Sequence, residues 1–172
     1  MGAAAVFAST FLLYLGCLYP SIAPRDSADM AVAAMSLGVA HPPGYPFYSL
    51  LGHAWLSVLP WANAAYRLNV LSAVAGAGAV TLLFICVRRR AGALAGVVAA
   101  ALWAMSAPLW KFSLLEEKYA LHALFAASLL ALTEAESVNV FARARVCGLL
   151  LGLGLVNHQS LLFAVPGLAW VW

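Results

Sequence analysis

Apolar residues fill most of the chain in long runs, and short polar segments divide those runs into helix-length units. A hydrocarbon core about 30 Å thick takes roughly 20 apolar helical residues. On that measure the pattern predicts membrane-crossing helices near Ala3–Tyr19, Leu68–Val87, Ala91–Leu109, Leu115–Thr133, Val146–Val156 and Leu161–Trp172. The fifth is long enough only if its helix begins near Phe141. The sixth reaches the last residue without a polar flank, so the expectation is the N-terminal membrane portion of a longer protein. The stretch from Ser27 to Trp61 carries too many prolines for one crossing, and within it Met30–Val39 and Tyr48–Leu59 read as short helices along the outer interface. The aromatic residues Tyr45, Phe47, Tyr48, Trp55 and Trp61 suit the headgroup level, where an amphipathic ring keeps one edge wet. The predicted architecture is an all-α polytopic membrane protein, a bundle of about five to six transmembrane helices with short interfacial helices in a first outer loop over 20–67. No repeat or linker divides it, so 1–172 is expected to form one membrane domain.

Composition sharpens this. Hydrophobic residues make up 65% of the chain and charged residues 9%, and the mean hydropathy of +0.95 is far from that of soluble domains. The net charge is only +3, and Lys and Arg flank apolar runs instead of forming a basic stripe, which argues against a nucleic-acid partner. Cys17, Cys86 and Cys147 each sit inside an apolar run and read as packing residues. The N-terminus lacks a basic leader segment, so the first run is expected to be retained as a span, and Val6 stands where a myristoylation motif needs Ser or Thr. The Gly92–Gly96 and Gly148–Gly152 spacings predict close helix approach.

Arg88-Arg89-Arg90 assigns its loop to the cytoplasmic side. Alternation of spans then puts Arg143 and Arg145 on the same side and places Asp26 to Arg67, Lys111 to Lys118 and Asn157-His158-Gln159 outside or in a lumen. This gathers Asp26, Asp29, Glu116, Glu117, His41, His53, His122 and His158 on one face.

Chemistry is concentrated there. Three prolines and a glycine within His41–Pro46 cannot lie in a helix and predict a rigid turn. Asp26 and Asp29 read in two ways: as N-cap and N3 acid of the following helix, or as carboxylates held above the membrane for proton abstraction. The capping role is favoured for Asp29 and the chemical role for Asp26. Glu116 and Glu117 begin the fourth predicted span beside Lys118, where a solvated helix start with a local ion pair explains one of them. Glu117, one residue deeper, is expected to face the same cavity as Asp26. Asn157-His158-Gln159 is a costly polar group at membrane depth, and His158, Asn157 and Arg67 could each donate to a phosphate. His122 reads as a packing residue. No spacing matches a helical two-ligand metal motif, and no metal is expected.

The strings Asp26-Ser27-Ala28-Asp29, Leu37-Gly38-Val39-Ala40-His41-Pro42-Pro43-Gly44-Tyr45-Pro46 and Tyr66-Arg67-Leu68-Asn69-Val70-Leu71-Ser72-Ala73, followed by Glu117-Lys118-Tyr119 and Asn157-His158-Gln159, carry a resemblance. Together they resemble the protein O-mannosyltransferase-like branch of the GT-C glycosyltransferase superfamily. The resemblance implies a multispanning enzyme that moves a sugar, typically mannose, from a polyprenyl or dolichyl phosphate to a protein Ser/Thr hydroxyl on the luminal or periplasmic side. It implies neither metal nor nucleotide cofactor. Its catalytic acid in the first outer loop maps onto Asp26, with Asp29 and Glu117 as supporting acids and His41, Tyr45, Arg67, Asn157 and His158 as candidates for binding the lipid phosphate or substrate. The family commonly has Gly-Glu after Asp-Ser, whereas this chain has Ala28-Asp29. The expected partners are the bilayer, the lipid-phosphate sugar and an acceptor polypeptide. The expected location is the endoplasmic reticulum membrane in a eukaryote or the inner or plasma membrane in a prokaryote. The competing readings are a polytopic transporter or lipid flippase, whose polar residues would lie at the bilayer midplane, and an inactive truncated fragment.

Overall fold

The computed structural model describes residues 2–135 and 139–171, and every regular element among them is helical. Met1 and Trp172, the latter the end of the sixth predicted span, lie outside the described residues. The elements are α1 (Ala3–Leu15), α2 (Ser27–Ser36), α3 (Pro46–Val58), α4 (Ala64–Ala104), α5 (Ala107–Ser113), α6 (Lys118–Thr133), α7 (Val140–Asn157), a 3-10 segment (Gln159–Ala164) and α8 (Val165–Val171).

The 41 residues of α4 form two limbs, because Gly92 leaves helical geometry with φ 87° and ψ 171°. That positive φ is open to glycine at little cost. The chain doubles back there: a Cβ on Gly96 would sit 3.1 Å from the Phe84 carbonyl oxygen and 3.0 Å from the Arg88 side chain. In a straight helix Phe84 and Gly96 would be about 18 Å apart along the axis. The reversal follows the Arg88-Arg89-Arg90 break expected from the sequence. A second break at Met105 and Ser106 starts α5 at Ala107, with Pro108 in its first turn, where a missing N–H costs nothing.

Directions alternate through the bundle. The first limb of α4 runs away from the segment around Tyr19, which Asn69 grips by donating to the carbonyls of Tyr19 (2.9 Å) and Ser21 (3.3 Å). α6 runs the same way, and its end reaches the α4 hairpin through the Arg90–Glu134 ion pair (2.5 Å). The second limb of α4, α1 and α7 return. One core cluster joins α1 to α4 through Val6, Tyr14, Ala73, Val80, Phe84 and Ala100. Another joins α2 and α3 to α6, α7 and the 3-10 segment through Met30, Tyr48, Ala120, Phe125 and Leu161. Gly154 permits the approach of α7, since a Cβ there would run into Leu161 and lie 3.1 Å from Phe125.

The expected count of five to six crossings is not reached on length and apolarity. Two helices qualify among the described residues, Ala64–Ala104 and Val140–Asn157, while α1 and α6 have 13 and 16 residues. The fifth expected span gains length by starting at Val140, where Asn139 caps it by accepting from Phe141 N–H (2.9 Å). The sixth is broken by the 3-10 segment and is not one helix from Leu161. The short outer-loop helices are present, although each starts earlier than expected: α2 at Ser27 and α3 at Pro46. Apolar side chains such as Val32, Val39, Leu50, Leu102 and Phe163 stand open, as lipid-facing or partner-facing surfaces do.

Candidate active site

Four separate stretches of chain converge at the end of the bundle from which α4 and α6 depart: Asp26 and Asp29 from α2 and its start, the turn His41–Pro46, the segment Glu116–His122, and Asn157–Ser160. The turn is closed by Gly44 N–H donating to the His41 carbonyl (2.9 Å), with a cis Pro42–Pro43 bond, Gly44 at φ 100° and Tyr45 at φ 43°. Pro46 then opens α3 with the φ it already has.

Neither acid caps α2. Asp26 occupies the N-cap position without a capping bond from its side chain, and its Oδ2 instead accepts from Lys118 Nζ at 3.0 Å across 92 positions of sequence. The favoured capping role of Asp29 is corrected in the same way. Its Oδ2 accepts from the His41 backbone N–H (2.8 Å) and lies 2.7 Å from His41 Nδ1, so it clamps the proline turn onto α2. His41 Nε2 lies 3.4 Å from Asp26 Oδ2, which places one imidazole between the two carboxylates. The Asp26 side chain is 45% exposed while Lys118 is 0% exposed, so the carboxylate faces outward with its counter-ion behind it. The Lys118 hydrogen bond holds the Asp26 carboxyl below the usual carboxylate range, and the hydrogen bonds from His41 do the same for Asp29.

Lys118 sits in an aromatic cage, its Nζ 4.5 Å from the Tyr45 ring centroid and 4.7 Å from that of Tyr119. Tyr45 stacks on His158 at 5.9 Å and 13° and meets His41 edge-on at 5.2 Å. Tyr119 and His122 each pack against His158, at 5.3 and 5.2 Å. Asn157 is fully buried, and its Nδ2 donates to the Lys118 carbonyl (3.2 Å), tying the end of α7 to the start of α6.

The structure thus brings together Asp26, Asp29, His41, Tyr45, Asn157 and His158 from the residues expected by sequence. Arg67 is not among them. Its guanidinium donates from one nitrogen to the carbonyls of Leu56 (2.8 Å) and Leu59 (2.6 Å), closing the C-terminal end of α3, where helix carbonyls lack partners. Glu117 borders the cluster but is 2% exposed, as closed to solvent as Glu116, so neither is a solvated helix start and Glu117 does not line an open cavity. Glu116 accepts from Ala23 N–H (3.3 Å), which holds the approach to Asp26. Sequence reasoning missed Lys118, Tyr119, Ser160 and the engagement of His122. The signal available was the Glu117-Lys118-Tyr119 string, in which a charged residue opens an apolar helix that has no solvent for it. No group of three or more His, Cys, Asp or Glu side chains suited to a metal occurs among the described residues.

Comparison with known proteins gives this geometry a family. Residues 26–172 match the profile of the Protein O-mannosyl-transferase TMEM260 N-terminal domain. The chain is 36% identical over 177 aligned residues to Protein O-mannosyl-transferase TMEM260 of Mus musculus, covering 99% of this chain and 25% of that protein. It is 27% identical over 128 residues to Protein O-mannosyl-transferase tmem260 of Dictyostelium discoideum, covering 73% of this chain and 16% of that protein. No solved structure matches. The chain spans a quarter of the length of the mouse relative, and the matched region begins at Asp26, so it takes in every residue of the cluster. On the extent of that match, this chain belongs to the family of the Protein O-mannosyl-transferase TMEM260 N-terminal domain.

Proposed function

We propose that this chain forms the reaction end of a membrane-embedded protein O-mannosyltransferase, taking mannose from a polyprenyl or dolichyl phosphate and attaching it to a Ser or Thr hydroxyl of a polypeptide at the luminal or periplasmic face. The observation that carries this reading is the outward-facing Asp26 carboxylate, backed by a fully buried Lys118 and flanked by His41. An acceptor hydroxyl needs a base at its proton, and a carboxylate kept ionised by a fixed ammonium meets it in the competent form. The relatives named as O-mannosyl-transferases supply the sugar and the acceptor class.

In this mechanism the acceptor oxygen attacks the anomeric carbon and forms the new C–O bond. The bond from that carbon to the phosphate oxygen breaks, its electron pair leaves with the lipid phosphate, and the hydroxyl proton passes to Asp26. Asp29 holds His41 and the proline turn in register with Asp26. Lys118 fixes the direction of the Asp26 carboxylate, and Tyr45, Tyr119 and His158 wall the approach. Charge developing on the departing phosphate is met by N–H donors, in the way preorganised dipoles stabilise anions. No metal is needed, since the leaving phosphate is already a stable anion. The grouping of polar side chains at one end of the bundle, away from its middle, favours interfacial transfer over the transporter reading.

Transfer of radiolabelled mannose from polyprenyl-phosphate mannose to Ser/Thr peptides, in membranes carrying the full-length protein, tests the reading. Loss of transfer in Asp26→Asn in a protein that still folds is expected, since Asn keeps an acceptor oxygen for Lys118 although not its charge. Retained transfer in that variant would overturn the assignment of Asp26.

A further inference from the structure

The cluster contains a hydrogen-bonded chain that the transfer step above does not use. Ser160 Oγ lies 2.7 Å from His158 Nδ1 and 3.2 Å from His122 Nε2, so one hydroxyl bridges two imidazoles on different elements. The Ser160 backbone N–H also donates to His158 Nδ1 at 3.3 Å.

These contacts allow one arrangement of protons. A nitrogen that accepts from a backbone N–H carries no proton, so His158 Nδ1 presents a lone pair and its ring proton is on Nε2. The Ser160 hydroxyl, 2.7 Å from the same lone pair, donates to it. Its oxygen then accepts from His122 Nε2–H. His122 Nδ1 is left unprotonated, which fits its position as a buried nitrogen without a hydrogen-bond partner, because a bare acceptor is tolerated where an unpaired N–H is rare. At the other end of the chain, His158 Nε2 has no protein partner among the described residues and is not buried away from solvent. Its ring is held between Tyr45 and Tyr119, beside the cage around Lys118.

We infer that Ser160 and His122 are positioning residues that lock His158 as the neutral Nε2–H tautomer, making Nε2–H a fixed donor toward an anionic oxygen at the reaction centre. On the proposed transfer reaction, which this inference deepens, that oxygen belongs to the phosphate of the lipid donor. The locked tautomer removes His158 from the list of bases: Nδ1 is occupied and Nε2 already holds a proton. General-base work is left to Asp26, and His158 works as an electrophile through an oriented N–H.

The test uses the full-length protein in nanodiscs with 15N-labelled histidine, the His158 signals being identified by their loss in His158→Gln. The inference expects an unprotonated Nδ1 and a protonated Nε2 on His158, a measurable share of the Nδ1–H tautomer in Ser160→Ala, where only the longer 3.3 Å bond from the backbone N–H remains to hold Nδ1, and return of the single tautomer in Ser160→Thr. In mannose transfer, Ser160→Ala is expected to lower kcat about tenfold, the loss of one oriented hydrogen bond, with Ser160→Thr restoring it. A proton on His158 Nδ1, or an unchanged tautomer and rate in Ser160→Ala, would overturn the inference. A full-length protein that transfers no mannose would overturn the proposed reaction instead, and the histidine spectrum then decides the relay by itself.

Discussion

The two ends of the bundle carry similar numbers of charged residues and treat them in opposite ways. At the end that carries Asp26, Lys118 is 0% exposed and binds that carboxylate across 92 positions of sequence, while Asp29 grips His41 twice. At the hairpin end, the Arg90 side chain is 71% exposed and meets Glu134, and the Arg88-Arg89-Arg90 run projects near the turn at Gly92. A charge closed off from solvent is costly unless its partners are fixed, so the Lys118 ammonium and the Asp26 carboxylate it binds are held in one arrangement. A pair whose arginine is 71% exposed, even with Glu134 at 16%, is worth less and tolerates more change. Position along the helix axis therefore separates charges that set geometry from charges suited to setting orientation in a membrane.

Substitutions at the two ends are expected to differ by orders of magnitude. The largest effect belongs to Asp26→Asn, which should reduce mannose transfer by about 10²–10⁴-fold, the range of a lost general base, in a protein that still folds but with a lowered thermal unfolding midpoint, because the closed-off Lys118 ammonium loses its counter-ion. Lys118→Met should follow: transfer falls about 100-fold through misorientation of Asp26, while stability is nearly neutral because an apolar side chain of similar volume takes the caged position. Equal loss of stability and transfer in that variant would mean that Lys118 is needed for folding alone. Gly154→Ala, forced against Leu161 and Phe125, should destabilise by about 1–3 kcal/mol and loosen His158 from His122, read by thermal unfolding and by histidine spectra.

The pH response offers a subtler difference. Asp26 and Asp29 have carboxyl values lowered from 3.8, so their contribution to stability is complete above the ordinary carboxylate range and is lost as pH falls through the lowered values. Stability should thus begin to fall as pH drops into the usual carboxylate range and keep falling through the lowered values, and Lys118→Met, which takes away the main cause of the Asp26 shift, should make that acid loss shallower. An acid loss unaffected by that change would detach Asp26 from Lys118. Smallest of all, Arg90→Gln should shift stability by about 0.5 kcal/mol or less and leave transfer unchanged.

Much of this was legible in the chain. The runs of apolar residues marked where helices lie, and the Arg88-Arg89-Arg90 break anticipated the reversal that Gly92 completes, because a helix boundary depends on residues within a few positions of itself. The prolines and glycine of His41–Pro46 required a turn, and the acids, His158 and Asn157 were recognisable as polar groups with no cheap place to go. The destinations of those groups were not legible. Arg67 stands next to a conspicuous motif, yet its guanidinium is drawn to the open carbonyls of α3. His122, on an apolar helix face, looked like packing until Ser160 was brought beside it from 38 positions away. Asp26 met the local requirements of an N-cap and gave them up for a buried ammonium. Local sequence dictates where a helix begins and which side chains need a partner, since backbone geometry and desolvation act residue by residue. Which partner each one takes is set by packing, because Lys118, Asp26, His158 and Ser160 meet only after α2, α6 and α7 have closed on one another.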